Sequence, residues 1–163
     1  MSTLTLNPPP YIIIDFDSTF TKVEGLDELA AIALKGHPER DFIVSQIVDL
    51  TNKGMNGEMS FAEGLRQRIA LLKANRTHIT ELVSFLRTKV SDSFRRNKQF
   101  LTENTDQIFI VSSGFKEFIV PVASEMGIRP DHVYANEFVF DEEGNIIGID
   151  EENVLSMDGG KIK

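Results

Sequence analysis

An apolar run that ends abruptly at two carboxylates is the feature that most constrains the fold of this chain. Positions 11–14 hold four apolar residues without alternation, which is typical of a fully buried parallel strand. Asp15 and Asp17 follow directly. Two like charges at the end of a buried strand are costly unless a cation or an acid–base reaction uses them. The segment therefore predicts a functional site, although two solvated aspartates or an Asx turn would give the same spacing.

The composition is that of a globular protein with an acidic balance. Apolar residues make up 41% and charged residues 26% of 163 positions, and the formal net charge is −8. This charge argues against nucleic acid as the main partner, because phosphate contacts need clustered Lys and Arg. The sequence has no cysteine, and hence no disulfide and no thiolate zinc site. It shows neither a signal-peptide core nor an apolar run of about 20 residues. We therefore expect a cytoplasmic protein with no membrane partner.

Strands and helices alternate outside one long insertion, which predicts a Rossmann-like parallel α/β core. After the first strand we expect a helix at 92–102, a buried strand at 108–111 and a helix at 116–126. A strand at 133–140 is expected to begin a hairpin. Active sites in such sheets lie at the carboxyl ends of the strands, where the two aspartates fall.

The insertion after the first strand has helical periodicity. Apolar residues recur at helical spacing over 25–86, with a capping-box pattern at Ser60 and a further N-cap expected at Thr77. Four short helices directly after a strand predict a helical-bundle cap inserted into the core. The expected domains are a core of residues 1–20 and 88–163 and a cap of residues 21–87.

Two further segments offer groups that suit a phosphate. Ser112 and Ser113 precede a predicted helix, where hydroxyl and backbone N–H groups can hold phosphate oxygens, although Ser113 would also serve as an N-cap. Lys161 follows two glycines and would bring an ammonium to the developing charge of phosphoryl transfer. The alternative is an exposed lysine near the end of the sequence, and Lys163 is a substitute for the same role.

Two charged residues in the predicted cap invite a functional explanation. Arg68 lies on the apolar side of its helix, with Ile69 and Leu72, so its guanidinium must find an anion or reach solvent along the helix edge. Glu24 follows the motif strand, and a first-turn acid favoured by the helix dipole would occupy the same position. We expect structural or surface roles for the histidines, which lack metal spacing: His37, His78 and His132.

Together these segments resemble the phosphoserine phosphatases, a family of the haloacid dehalogenase superfamily. The motifs that carry the resemblance are DFDST at 15–19, EGLDELA at 24–30, LRQR at 65–68 and VSSGF at 111–115. The resemblance implies the haloacid dehalogenase fold with a helical cap. It also implies Mg²⁺-dependent hydrolysis of O-phosphoserine to serine and phosphate through an aspartyl-phosphate, a reaction of serine biosynthesis.

The resemblance further implies roles for the residues of the predicted core. Asp15 would be the nucleophile and Asp17 the general acid and base. Asp15 and the backbone carbonyl of Asp17 would coordinate Mg²⁺. The phosphate would be bound by Ser112, the Ser113 backbone N–H and Lys161.

In the predicted cap, the resemblance assigns the contacts to the amino-acid part of the substrate. Glu24 would bind the amine and Arg68 the carboxylate. This would explain why the predicted cap has one acidic and one basic residue, since an amino acid carries one charge of each sign. Met55 and Phe61 would help to close the cap over the substrate. By residue type alone, both of these side chains suit a core.

The sequence departs from the family pattern in one respect. The fourth motif, which supplies further carboxylates for the metal, has no match, and two core strands are missing. We therefore expect a fragment of a longer phosphatase with little activity by itself and an uncovered sheet edge that favours self-association. The alternatives are a phosphatase or phosphotransferase for another small phosphorylated metabolite, and a catalytically silent module that binds a ligand or partner.

Overall fold

Three parallel strands form the central sheet of this computed structural model, which describes residues 10–162. They are β1 (Ile12–Ile14), β2 (Ile108–Phe115) and β3 (Val133–Asn136), in the spatial order β1–β2–β3. The register places Ile14 opposite Ile110, so the carboxyl ends of β1 and β2 lie at the same edge of the sheet. The predicted parallel α/β core is confirmed.

The first strand is less buried than predicted. Ile14 is buried, but Tyr11 and Ile13 are each 69% exposed. Both lie on a sheet face, shared with Phe109 and Tyr134, that remains open within residues 10–162. The prediction of a fully buried strand is therefore wrong. An apolar run reports a preference for burial, whereas actual burial depends on whether other elements cover both faces.

The insertion after β1 contains four helices, as the periodicity predicts. They are α1 (Gly25–Ala33), α2 (Arg40–Met55), α3 (Phe61–Leu71) and α4 (Arg76–Lys89). Helix α1 packs against α2 and α4, and α2 packs against α3. Leu29, Ile47 and Leu65 lie fully buried between them. In the part of the chain that the structure describes, no helix is long and apolar enough to cross a membrane.

The helix caps agree with the sequence at one position and differ at another. Ser60 caps α3, and its hydroxyl accepts a hydrogen bond from the Glu63 N–H at 3.2 Å. Helix α4 is capped by Asn75, whose side-chain oxygen accepts from the Thr77 N–H at 2.9 Å. The prediction that Thr77 is the cap is wrong, because an asparagine two residues earlier satisfies the first free N–H groups.

The predicted helix at 92–102 is interrupted. Asn97 has φ −103° and ψ 20°, which departs from helical geometry and divides the segment. The resulting short helices are α5 (Asp92–Arg96) and α6 (Lys98–Glu103). Both lie between the four-helix insertion and β2.

The second strand is longer than predicted. It continues through Phe115, and α7 (Lys116–Glu125) begins at the next residue without a side-chain cap. Ser113 therefore lies inside β2 and is not the N-cap of α7. Strand β2 thus runs past the end of β1 and contacts the turn at Phe16–Phe20 that follows it.

The predicted strand at 133–140 is divided at Glu137. Strand β3 ends at Asn136, and β4 (Phe138–Phe140) pairs with β5 (Ile146–Ile149) in the expected antiparallel hairpin. The hairpin packs against α3, so it contacts the four-helix insertion as well as the sheet.

Candidate active site

A cavity of about 320 Å³ opens between the carboxyl ends of the strands and the helices of the insertion. Its lining has two sides. The core half of the cavity comprises Asp15, Asp17, Ser113, Gly114 and Lys161. The cap half comprises Glu24, Thr51, Met55, Phe61 and Arg68. Thus all of the predicted site residues except Ser112 line one cavity.

The chain turns sharply after β1 and holds its carboxylates toward the cavity. Phe16 and Phe20 are fully buried and anchor the turn, while Asp15 Oδ1 accepts a hydrogen bond from the Phe16 N–H at 2.8 Å. Ser18 has φ 54°, a left-handed conformation that is uncommon for a non-glycine residue. Its hydroxyl donates to the carboxylate of Glu24. No pattern in the sequence predicts this role of Ser18.

Asp15 meets a lysine from the far end of the sequence. Lys161 Nζ lies 2.7 Å from Asp15 Oδ2, and both side chains are partly exposed. Lys161 is carried by a short 3₁₀ turn at Gly160–Ile162. The ammonium is placed to neutralise charge on a group that approaches Asp15. Lys163, the alternative lysine, lies outside the described residues.

Asp17 is the buried carboxylate of the site. Its Oδ1 accepts a hydrogen bond from the Gly25 N–H at 2.7 Å. Burial raises the pKa of Asp17 from 3.8 to about 7; the Gly25 hydrogen bond opposes this rise, and the charges of Glu24 and Asp15 add to it. A carboxyl group with a pKa near neutrality can give and take a proton at physiological pH.

Two glycines allow the backbone to approach Asp17 closely. A Cβ at Gly25 would lie 2.6 Å from the Phe118 ring and 3.2 Å from Asp17 Oδ1. A Cβ at Gly114 would lie 2.9 Å from Asp17 Oδ2. Both positions therefore require glycine for reasons of space: a larger residue at Gly25 would collide with the Phe118 ring, and one at Gly114 would displace the Asp17 carboxylate.

The two serines at the end of β2 occupy different environments. Ser113 lines the cavity, whereas Ser112 is fully buried, and its Oγ accepts a hydrogen bond from the Gly114 N–H at 2.9 Å. Asn136, at the end of β3, donates from its amide to the carbonyls of Ser113 at 2.9 Å and Leu155 at 3.2 Å. One buried amide thus fastens the end of β2 to the segment that leads to the 3₁₀ turn.

Arg68 enters the cavity from α3. Its Nη1 donates to Thr51 Oγ1 at 3.2 Å. Burial lowers the pKa of Arg68, and the negative charges of Asp27 and Glu24 oppose that change. Within residues 10–162, no carboxylate oxygen lies within the 4.0 Å of an ion pair with its guanidinium. A partly buried guanidinium without an ion-pair partner among the described residues is suited to bind an anionic group.

The remaining predicted residues of the cap half also line the cavity. Glu24 occupies the N-cap position of α1, and its side chain makes no capping hydrogen bond. Met55 is 66% exposed at the end of α2, and Phe61 is partly buried at the start of α3. Residue type alone would place both in a core, but both border the cavity.

The oxygen donors of the core half suit a hard divalent cation. No cluster of three or more histidine, aspartate or glutamate side chains with metal-binding geometry occurs in the described chain, and Asp15 and Asp17 supply two carboxylates. Magnesium is commonly bound by one or two carboxylates, with waters and substrate phosphates as further ligands. The Asp15 carboxylate, which lines the cavity and lies 2.7 Å from the Lys161 ammonium, is the observation that fits a cation at this point.

The sequence and the fold were compared with known proteins. No family model matches the sequence. The chloroplastic phosphoserine phosphatase of Arabidopsis thaliana is 30% identical over 93% of this chain and 49% of its own length. The phosphoserine phosphatase of Homo sapiens is 30% identical over 93% of this chain and 64% of its own length. The chain therefore spans about half to two thirds of the length of these relatives.

Solved structures give the same result for the fold. A phosphoserine phosphohydrolase-like protein from Francisella tularensis subsp. tularensis SCHU S4 superposes with a TM-score of 0.81. The match has 28% sequence identity and covers 93% of this chain and 69% of that structure. The sequence matches and the structural match each cover 93% of this chain. The resemblance inferred from the motifs is therefore confirmed. The chain is a homologue of the phosphoserine phosphatases and has their haloacid dehalogenase-like fold.

Proposed function

We propose that this chain provides the active site of a phosphatase that hydrolyses O-phosphoserine to serine and phosphate. The observation that carries the proposal is the charge arrangement of the cavity. The core half offers a carboxylate beside an ammonium, and the cap half offers a buried guanidinium and a separate carboxylate. A phosphorylated amino acid has a phosphate, a carboxylate and an amine, and each finds a group of suitable charge.

The core half supports a two-step displacement. Asp15 attacks phosphorus and forms an aspartyl-phosphate, while the bond from phosphorus to the serine oxygen breaks and Asp17 protonates that oxygen. Asp17 then removes a proton from water, which attacks the aspartyl-phosphate, releases phosphate and regenerates the Asp15 carboxylate. The pKa of about 7 at Asp17 suits both proton transfers.

The phosphate oxygens would be held by groups of the core half and of β2. Lys161 would neutralise their charge, while the Ser113 backbone N–H and the Ser112 hydroxyl would donate to them. Mg²⁺, the cation that we propose for the site, would be held by the Asp15 carboxylate and the backbone carbonyl of Asp17. When bound, it would offset the repulsion between these acids and the phosphate.

The cap half supports selection of an amino acid. Arg68 would bind the substrate carboxylate, and Glu24 would bind the amine. Met55 and Phe61 would cover the substrate from the cap side and limit the access of water. We further propose that residues 21–87 form the cap domain and residues 1–20 and 88–163 the core domain.

Two expectations about the protein's surroundings stay predictions. One is a cytoplasmic location, and the other is self-association through an uncovered edge of the sheet.

The proposal is tested with two substrates that differ in one group. O-phosphoethanolamine keeps the phosphate and amine of phosphoserine but lacks the carboxylate. In the natural gene product that contains this sequence, Arg68→Ala should lower kcat/KM for phosphoserine about 100-fold, with little change for phosphoethanolamine. Arg66→Ala, an exposed change on the same helix, is the matched control. An unchanged phosphoserine rate in Arg68→Ala would contradict the amino-acid pocket.

A further inference from the structure

A chain of partly buried hydrogen bonds joins three helices behind the cap half of the cavity. Thr51, on α2, is 7% exposed. Its Oγ1 lies 3.2 Å from Arg68 Nη1 on α3 and 2.9 Å from Asp27 Oδ1 on α1. The same oxygen lies 3.0 Å from the carbonyl of Ile47, one turn earlier in α2. A single hydroxyl therefore links the guanidinium in the cavity to a carboxylate that does not line it.

The chemistry of the groups fixes the direction of these bonds. A guanidinium has only donors, so the Thr51 oxygen must accept from Arg68. The hydroxyl has one proton, which it can donate to the ionised Asp27 or to the Ile47 carbonyl. Burial raises the pKa of Asp27, and the Thr51 hydrogen bond opposes that rise, so the bond favours the ionised carboxylate. The negative charge then strengthens the hydroxyl as an acceptor for Arg68.

The hydroxyl between the two charges has a consequence for substrate binding. A carboxylate in direct contact would occupy the planar fork of the guanidinium, which is the part that recognises a substrate carboxylate. Here Asp27 and Arg68 form no ion pair within 4.0 Å. Thr51 contacts Nη1 at 3.2 Å, and Nε donates to the Gly64 carbonyl at 3.4 Å. These two bonds fix a long side chain in one orientation and leave Nη2 for a ligand.

We propose that Thr51, supported by Asp27, is a positioning residue that orients Arg68 and thereby sets the preference for carboxylate-bearing phosphomonoesters. This inference rests on the proposed function, since it requires Arg68 to bind the substrate carboxylate. Neither Thr51 nor Asp27 needs to touch the reacting phosphate. Their effect should therefore appear in substrate affinity and selectivity, and hardly in the chemical step.

The test compares Thr51→Val, which removes the hydroxyl at nearly constant volume, with Thr51→Ser, which keeps it. In the natural gene product, Thr51→Val should lower kcat/KM for phosphoserine about tenfold, mainly through a higher KM, and leave phosphoethanolamine within about twofold. Thr51→Ser should restore the phosphoserine value to within about threefold, and Asp27→Asn should give a smaller loss in the same direction.

Two outcomes separate this inference from the proposed function. If Arg68→Ala loses selectivity but Thr51→Val keeps it, the positioning role is overturned and the phosphoserine pocket stands. If neither variant changes selectivity, the pocket itself is wrong, and the positioning role fails with it. Should Thr51→Val not fold, as judged by its melting curve, Thr51→Ser with Asp27→Asn decides. Loss of selectivity in Asp27→Asn but not in Thr51→Ser supports the role, and equal rates and selectivities in both overturn it.

Discussion

The core half and the cap half of the cavity are held in place by different means. In the core half, backbone groups position the side chains: the Gly25 N–H binds Asp17, and Gly114 lets the strand end pass within contact of it. In the cap half, side chains position one another, as Thr51 does for Arg68. Backbone groups, such as the first N–H of α1 and the end of β2, are hard to shift, whereas a side-chain network can change by single substitutions. We therefore expect the core half to govern turnover and the cap half to govern substrate choice.

The sharpest test of this division, with the largest expected effect, is at Asp15. Asp15→Asn removes the nucleophile, and phosphoserine turnover in the natural gene product should fall by about 10³-fold or more. Phosphoethanolamine turnover should fall equally, because both substrates share the chemical step. Phosphate release measures both rates. Asp41→Asn, an exposed change on α2, is the control. Residual activity above a few per cent would exclude Asp15 as the nucleophile.

A second prediction concerns the effect of the Asp17 carboxylate on the free energy of unfolding. Because the pKa of Asp17 is raised to about 7 in the folded protein, its stabilising contribution is complete below pH 3.8 and is lost as the pH rises through 7. In metal-free buffer, Asp17→Asn should therefore increase the free energy of unfolding at about pH 8, relative to about pH 4.5, by about 2–4 kcal/mol.

Urea unfolding at the two pH values measures this difference, with Asp41→Asn as the control. An equal effect of Asp17→Asn at both values would mean that the carboxylate is not strained by burial. The same substitution should abolish efficient turnover, so that gain in stability and loss of function would occur together.

The smallest predicted effect is on stability, and it concerns the contacts between helix α3 and the segment that carries Lys161, which we call the seam. Asp158 Oδ1 accepts a hydrogen bond from the Ala62 N–H at 3.0 Å, which joins the first turn of α3 to the segment that carries Lys161. Arg66 and Glu151 make a weaker contact across the same seam, at 3.5 Å. Asp158→Ala should reduce the free energy of unfolding by about 1 kcal/mol or less, because the contact is exposed.

Thermal melting measures this stability change, and KM for phosphoserine reports on closure of the seam. Asp158→Asn keeps a side-chain acceptor, so its free energy of unfolding should lie between those of the unchanged protein and of Asp158→Ala. A loss of more than about 3 kcal/mol in Asp158→Ala would show that core and cap depend on this contact more strongly than an exposed hydrogen bond allows.

Local patterns in the sequence predicted most of the elements but fewer of the contacts between them. Asp15 and Asp17 were predictable because charge directly after an apolar strand is unusual. Asn75 and Thr77 are both good caps two positions apart, and the sequence could not choose between them. The exposure of Ile13 depends on which elements cover the sheet, which no local pattern encodes.

The contacts of the residues that support the site were likewise not predictable from local sequence patterns. Thr51 did carry a signal, since it follows Ile43 and Ile47 at helical spacing on the buried side of α2. A polar residue on such a stripe must find a partner, but the identity of that partner depends on the packing of three helices. Asn136 gave no comparable signal, because its two acceptors come from distant parts of the chain.

The pairing of Lys161 with Asp15 spans 146 positions of sequence. A ribosome therefore releases the first strand and its two aspartates long before it makes the lysine that lies against them. During that interval the nascent chain can form its local helices, but it cannot hold a phosphate between these groups. Because contacts so far apart are slow to form, we expect phosphate binding to be among the last properties that the folding chain acquires.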